Sequence, residues 1–147
     1  MKKYNRYPQR DPIKNYFPLP KEIFNFGLCY GEISVYSYLL LCENRKTFQC
    51  WPSYKTIGNA LQMSRNTVKK YVELLEQKHF IKTEYTNVFT KDGMKRNGNL
   101  RYTINPIGEV VEYYHQLQME KLALEQAKAE AKRRLEEYDR RRGYRAG

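Results

Sequence analysis

No apolar run in the chain approaches the ~20 residues of a membrane span, and no signal-peptide core opens it. A cytoplasmic protein is expected. Cysteine is scarce: Cys29, Cys42 and Cys50 are odd in number and form no CxxC pair. That excludes a disulfide framework and a thiolate zinc site, and suits buried free thiols in a reducing compartment. The two histidines, His79 and His115, stand far apart with no ligands beside them, so no metal is expected. A phosphate-cradling glycine-rich loop is missing as well. The acids before Asn105 (Asp11, Glu22, Glu32, Glu43, Glu73, Glu76, Glu84 and Asp92) are scattered, not paired. Without a nucleophile, an acid–base pair or a metal cluster, an enzyme is not expected, nor is a cofactor.

Positive charge is what the chain has in excess. The formal net charge is +11 over 147 residues. Residues 105–147 hold nine Lys/Arg against eight Asp/Glu, a contribution of +1, which leaves +10 on residues 1–104. A field concentrated in this way suits a polyanion, although a basic surface can also serve solubility alone. The length fits one main domain with an extension.

The stretch from Pro52 to Ile81 organises the rest. It reads as two short helices joined by a tight turn at Gln62-Met63. Ser53 and Ser64 are the expected N-caps, since a serine hydroxyl accepts a free backbone N–H. Ile57, Ala60 and Leu61 share one face of the first helix; Val68, Val72 and Leu75 form the buried stripe of the second. The opposite face of the second helix carries Arg65, Asn66, Lys69 and Lys70. Arg bonds a guanine edge bidentately, Asn does the same to adenine, and Lys suits phosphate. A helix fits the major groove, and its first turn reaches the bases. Arg65, Asn66 and Lys69 are therefore the candidate base readers. Ser53, Lys55, Thr67 and Lys70 are candidate backbone contacts.

The chain resembles the bacterial winged helix-turn-helix family, of the type found in plasmid or mobile-element replication initiators and related regulators. The resemblance covers about Tyr16 to Ile104. It is carried by Phe17-Pro18-Leu19-Pro20 with Ile23-Phe24, Val35-Tyr36 with Tyr38-Leu39-Leu40, and Trp51-Pro52-Ser53-Tyr54-Lys55-Thr56-Ile57. Leu61 with Ser64 and Thr67-Val68, and Leu75 with Phe80-Ile81, complete it. It implies a mainly α fold with a small antiparallel hairpin (α+β), and double-stranded DNA as the partner. Three positions depart from the family pattern: Gly58 stands where alanine is usual, and Gln62 and His79 stand where glycine is usual. A left-handed backbone at Gln62 or His79 would cost on the order of 1 kcal/mol.

Taken in order, residues 1–15 form a basic arm with Pro8 and Pro12, suited to a minor groove or to phosphates and equally to a plain tail. Residues 16–104 are the winged-helix domain. Tyr16 to Pro20 is extended, Lys21 to Phe26 is a short turn or helical turn ending at Gly27, and an apolar helix runs from Tyr30 to Cys42. Cys29 and Glu32 have the spacing of a capping box. A short strand is expected over Phe48 to Trp51. From Phe80 the period changes to two, and Asp92-Gly93 suits a two-residue hairpin turn that pairs Ile81 with Ile104, Thr83 with Tyr102 and Tyr85 with Leu100. Asn97-Gly98 would suit a bulge or a shorter hairpin. Lys91, Lys95 and Arg96 at the tip are further candidate DNA-backbone contacts.

Residues 105–142 read as one long helix opened by Asn105-Pro106, and 143–147 as a tail. Val110, Leu117, Leu124, Ala131 and Tyr138 recur every seven residues. The companion positions include Lys121 and Lys128 in one frame and Glu120 and Arg134 in the other, so this is half of a coiled-coil seam, and dimerisation through it is the expectation. A solvated helix and a surface for another protein are the alternatives. The expected function is sequence-specific DNA binding, in replication initiation of a mobile element or plasmid or in transcription regulation. A protein–protein adaptor is its rival.

Overall fold

A computed structural model describes residues 16–89 and 91–143, without the side chains of Val88, Phe89, Lys95, Arg96 and Asn97. The arm expected over residues 1–15 lies outside the described residues, as does most of the 143–147 tail. The chain divides into two units, residues 1–107 and 108–147.

In the first unit the proline-restrained run before Lys21 leads into a short 3-10 helix, Lys21–Asn25. Gly27, at φ 69°, then leads toward α1, Tyr30–Cys42. Glu32 reaches back to accept the Cys29 N–H at 3.4 Å, one half of the expected capping box. After α1 come β1 (Gln49–Cys50), α2 (Tyr54–Leu61), α3 (Arg65–Gln77), β2 (Ile81–Phe89) and β3 (Lys95–Ile104).

Two glycines let the three helices close on one another. A Cβ on Gly31 would lie 2.2 Å from the Tyr71 ring, so α1 meets α3 there without a side chain between them. A Cβ on Gly58 would lie 2.4 Å from the Met63 carbonyl oxygen, inside the turn that joins α2 to α3. Alanine would not fit at Gly58 without a backbone shift.

Ile23, Val35, Leu39, Ile57, Val68 and Leu75 are fully buried. Each such side chain contributes about 1.5–3 kcal/mol on burial. Phe80 ends the helical part, and its ring meets Phe26 and Tyr36 edge-on at 5.5 and 5.7 Å. Its backbone N–H donates to Leu75 and its carbonyl accepts from Asn105, both at 3.0 Å. Of the three cysteines expected as buried thiols, Cys29 and Cys42 are exposed, and so is Ala60, expected beside Ile57 and Leu61 on one face of α2.

The strands form one antiparallel sheet in the order β1-β3-β2. β1 is shorter than the expected Phe48–Trp51 because Phe48 adopts a left-handed φ of 58° in the turn before it. There the Phe48 N–H donates to Asn44 at 2.7 Å and the Asn44 N–H to Gln49 at 2.9 Å. The β2–β3 register pairs Ile81 with Ile104, Thr83 with Tyr102 and Tyr85 with Leu100, as the alternation predicts.

The register then shifts: Asn87 pairs with Asn97, so Gly98 and Asn99 together oppose Thr86. The extra residue changes the parity of the hairpin. Its strands end at Phe89 and Lys95, so the connection about Asp92-Gly93 is longer than a two-residue turn. Tyr85 is 81 % exposed, so the apolar face of the hairpin leaves the core beyond Thr83.

The second unit is essentially one helix, α4, Ile107–Arg141. Its 35 residues span about 52 Å at 1.5 Å each. The helix begins at Ile107, two residues past Asn105, whose side-chain amide donates to the His79 carbonyl at 2.7 Å. Along α4, Arg134 pairs with Glu130 at 2.7 Å and Arg141 with Glu137 at 2.8 Å, at the favourable four-residue spacing. The architecture is a winged helix-turn-helix, mainly α with a small antiparallel sheet, followed by a long helix.

Candidate nucleic-acid interface

Both helices of the motif start as the sequence predicts. Ser53 Oγ accepts the Thr56 N–H at 3.1 Å, and Ser64 Oγ accepts the Thr67 N–H at 3.2 Å. Each threonine hydroxyl also bonds its serine, at 2.9 and 2.8 Å, so the Thr67 hydroxyl is shared with the cap of α3. The turn is made by Gln62 at φ 57°, ψ 47°, with the N–H groups of Gln62 and Met63 on the Gly58 carbonyl. A Gln thus occupies the left-handed position where a glycine would be unstrained. His79, at φ 65°, does the same after α3.

This turn and the packing of α3 decide which face is free. Val68, Tyr71, Val72 and Leu75 are buried, whereas Arg65, Asn66, Lys69 and Lys70 are exposed. Lys70 Nζ lies 5.7 Å from the centre of the Tyr71 ring. The charge along α3 changes sign: the first two turns are basic, and Glu73 and Glu76 follow. The positive end therefore coincides with the helix N-terminus, where the helix dipole favours an anion. On α2, Lys55 is exposed and Ser53 half-buried. Lys91 is exposed in the hairpin connection, while the side chains of Lys95 and Arg96 lie outside the described residues.

The structure adds residues that sequence reasoning missed, each of which fixes one element against another. Glu76 accepts from the Thr83 N–H at 3.2 Å and from its hydroxyl at 2.8 Å, tying α3 to the base of the hairpin. Asn99, in the bulge, donates to the Trp51 carbonyl at 3.3 Å, tying the hairpin to the entry of α2. Glu84 and Arg101 form an ion pair across β2 and β3. Lys78, at the end of α3, pairs with Glu32 on α1. Burial alone would raise the Glu32 carboxyl; the bond from Lys78, with those from Cys29, more than offsets it and holds the group below its usual value. Nothing in the sequence marks these pairs, because their partners lie on different elements.

Among the described residues there is no group of three or more His, Cys, Asp or Glu that could hold a metal. Nor is any described helix long and apolar enough to cross a membrane. The Cys50 thiol donates to the Leu39 carbonyl at 3.7 Å, and burial pushes its pKa up to about 12, which suits packing and not nucleophilic chemistry. On α4, Val110 is buried; Leu117, Leu124, Ala131 and Tyr138 are exposed.

The chain is similar in part to proteins already known. A comparison with curated proteins finds no match. Among solved structures, one described as a "Possible transcriptional regulator" from Methanosarcina mazei Go1 is 18% identical, covers 69% of this chain and 78% of its own, and gives a TM-score of 0.47. The MepR–DNA complex of S. aureus is 19% identical, with 80% of this chain and 86% of its own covered and a TM-score of 0.40. A MarR family transcription regulator is 20% identical over 80% of this chain and 73% of its own, at a TM-score of 0.41. A family model described as a helix-turn-helix domain matches residues 31–81. That span runs from the first turn of α1 to the start of β2, so the likeness to that family covers α1, α2 and α3 and stops where the β2–β3 hairpin begins.

Proposed function

We propose that this protein reads double-stranded DNA in a sequence-specific manner with α3. The observation that carries the reading is the division of α3 into a buried stripe and an exposed, basic first half that includes Arg65, Asn66 and Lys69. In this reading α3 enters the major groove and those three side chains meet base edges. Ser53, Lys55, Thr67 and Lys70 meet the backbone beside it, and the wing residues Lys91, Lys95 and Arg96 meet phosphate further along. Asn99 and Glu76 hold the wing to the two helices, which fixes the spacing between the two contacts.

The long helix serves as a dimerisation element through Leu117, Leu124, Ala131 and Tyr138, whose seven-residue repeat is exposed along α4. Leu135 is also exposed and adds to it. A dimer would read repeated or palindromic half-sites about one helical turn apart. The task is transcription regulation, or replication initiation of a mobile element or plasmid, in the cytoplasm.

Selection from a random duplex library tests this, followed by titration of the winning and scrambled duplexes across salt. A motif with two half-sites, bound well above scrambled DNA, is the expected outcome. No motif and a purely salt-driven affinity would reduce the basic face to a generic anchor.

A further inference from the structure

A cavity of about 350 Å³ lies within the first unit, between the extended run ahead of the 3-10 helix, the C-terminal part of α1 and the end of β3. Its walls are mainly apolar and include Leu19, Tyr36, Leu40, Phe48 and Ile104. None of these residues takes part in the proposed DNA contact.

Three polar residues, Glu22, Glu43 and Asn105, interrupt the walls. Glu43 lines the cavity, and its Oε2 is buried with no hydrogen-bond partner among the described residues. A carboxylate oxygen withdrawn from water without a donor is costly, and native interiors seldom leave one so. Burial raises the Glu43 carboxyl, and Arg45 opposes that only in part. The group therefore lacks a donor that the described chain does not supply.

A second feature meets at the same place. Phe48 lines the cavity with its backbone at φ 58°, a region that bulky residues rarely adopt. Glycine or asparagine would suit that turn without strain. The strained residue forms part of a cavity wall, and strain in native structures tends to accompany a binding role.

We infer that this cavity is a binding site for a small organic cation, one whose N–H donors meet Glu43 and whose apolar body lies among Leu19, Leu40 and Ile104. A planar amidinium or guanidinium fits best, since it gives a carboxylate two parallel bonds. The size is at the lower end of ligand pockets, which calls for a body of about one or two rings. The inference is independent of the DNA-binding reading.

Benzamidine is the probe, with benzamide as its neutral match and benzoate as its anionic one, each titrated into the full chain. Affinity is read by calorimetry and location by the methyl resonances of Leu19, Leu40 and Ile104. Benzamidine is expected to bind saturably, to shift those methyls, and to outbind benzamide by about tenfold, the worth of one charged hydrogen bond. Glu43→Gln keeps the shape and should remove that preference. Phe48→Gly relieves the backbone and removes a wall; it should weaken benzamidine while the thermal midpoint holds or rises. No saturable binding of benzamidine, shifts confined to other methyls, or equal affinity for benzamidine and benzamide would overturn the inference. So would an unchanged benzamidine affinity in both variants.

Discussion

Lys78 Nζ lies 2.8 Å from Glu32 Oε2 and 3.0 Å from Oε1, which ties the end of α3 to the first turn of α1. Glu32 is only 3 % exposed, so the pair anchors α3 against the body of the domain at the end opposite its basic turns. Lys78→Met should cost about 1–3 kcal/mol at neutral pH, because it leaves a buried carboxylate without its cation. The sign of the pH dependence follows. In the native protein the carboxyl is held below its unfolded value, so its stabilisation is present above the unfolded pKa and is lost as pH falls through the folded one. In the variant, burial is no longer offset by Lys78 and the carboxyl rises. The stability gap between the two proteins should therefore shrink on acidification from pH 7 to pH 3. Urea midpoints across that range measure it, and a constant gap would show that the pair does not govern the effect.

Gly58→Ala should destabilise the domain by about 1–3 kcal/mol, the usual cost of forcing atoms into a packed site. The added methyl would meet the Met63 carbonyl at 2.4 Å in the turn between α2 and α3. Urea unfolding checks it; a neutral result would mean that the turn relaxes freely.

Gln62→Gly should do the opposite. The residue holds φ 57°, so glycine would relieve about 1 kcal/mol of left-handed strain. His79→Gly, at φ 65°, should gain a similar or smaller amount, since histidine tolerates this region better. The two sites lie in different turns, and their effects on the thermal midpoint should add.

Arg65→Ala and Lys91→Ala separate base reading from phosphate anchoring. The first should cost about 1–3 kcal/mol on the preferred duplex and relax the choice at one base pair. The second should weaken all duplexes alike and lower the salt slope by roughly one. Titrations of matched and single-mismatch duplexes decide; an equal loss on every duplex for Arg65→Ala would rule out its role in base reading.

Leu117→Lys combined with Leu124→Lys should convert a dimer into a monomer without melting α4, since lysine is a good helix former. Sedimentation at several concentrations, with circular dichroism as the control for helicity, reads both. A wild-type chain that sediments as a monomer at every concentration would remove the dimer from the proposal.

How much of this was legible in the sequence depends on how local the signal is. Ser53 and Ser64 cap their helices as written, because a cap needs only a hydroxyl and the N–H three residues on. The pairing of Ile81 with Ile104 was legible from the alternation on both strands. The connection at the hairpin tip was not: one extra residue opposite Thr86 changes the parity, and Asn97-Gly98 marked a bulge only as an alternative. Candidate base readers follow from the face opposite Val68 and Val72, and that face is exposed. Glu76 with Thr83, Asn99 with Trp51 and Lys78 with Glu32 could not be read, since each joins elements whose approach is set by the whole packing. The strand expected over Phe48 to Trp51 loses Phe48 because the turn at Asn44 overrides the strand preference of an aromatic residue.

The brevity of β1 has a consequence for behaviour at high concentration. Its two residues pair with β3 only at Tyr102 and Thr103, and further along β3 the Gly98–Asn99 bulge interrupts the ladder. A neighbouring molecule approaching that side meets a short, kinked border and not a long flat one. Recruitment of foreign strands, the first step of fibre growth, is disfavoured on such a border. On that side the hairpin offers little on which a second strand could grow; the opposite border of the sheet is the nine-residue β2.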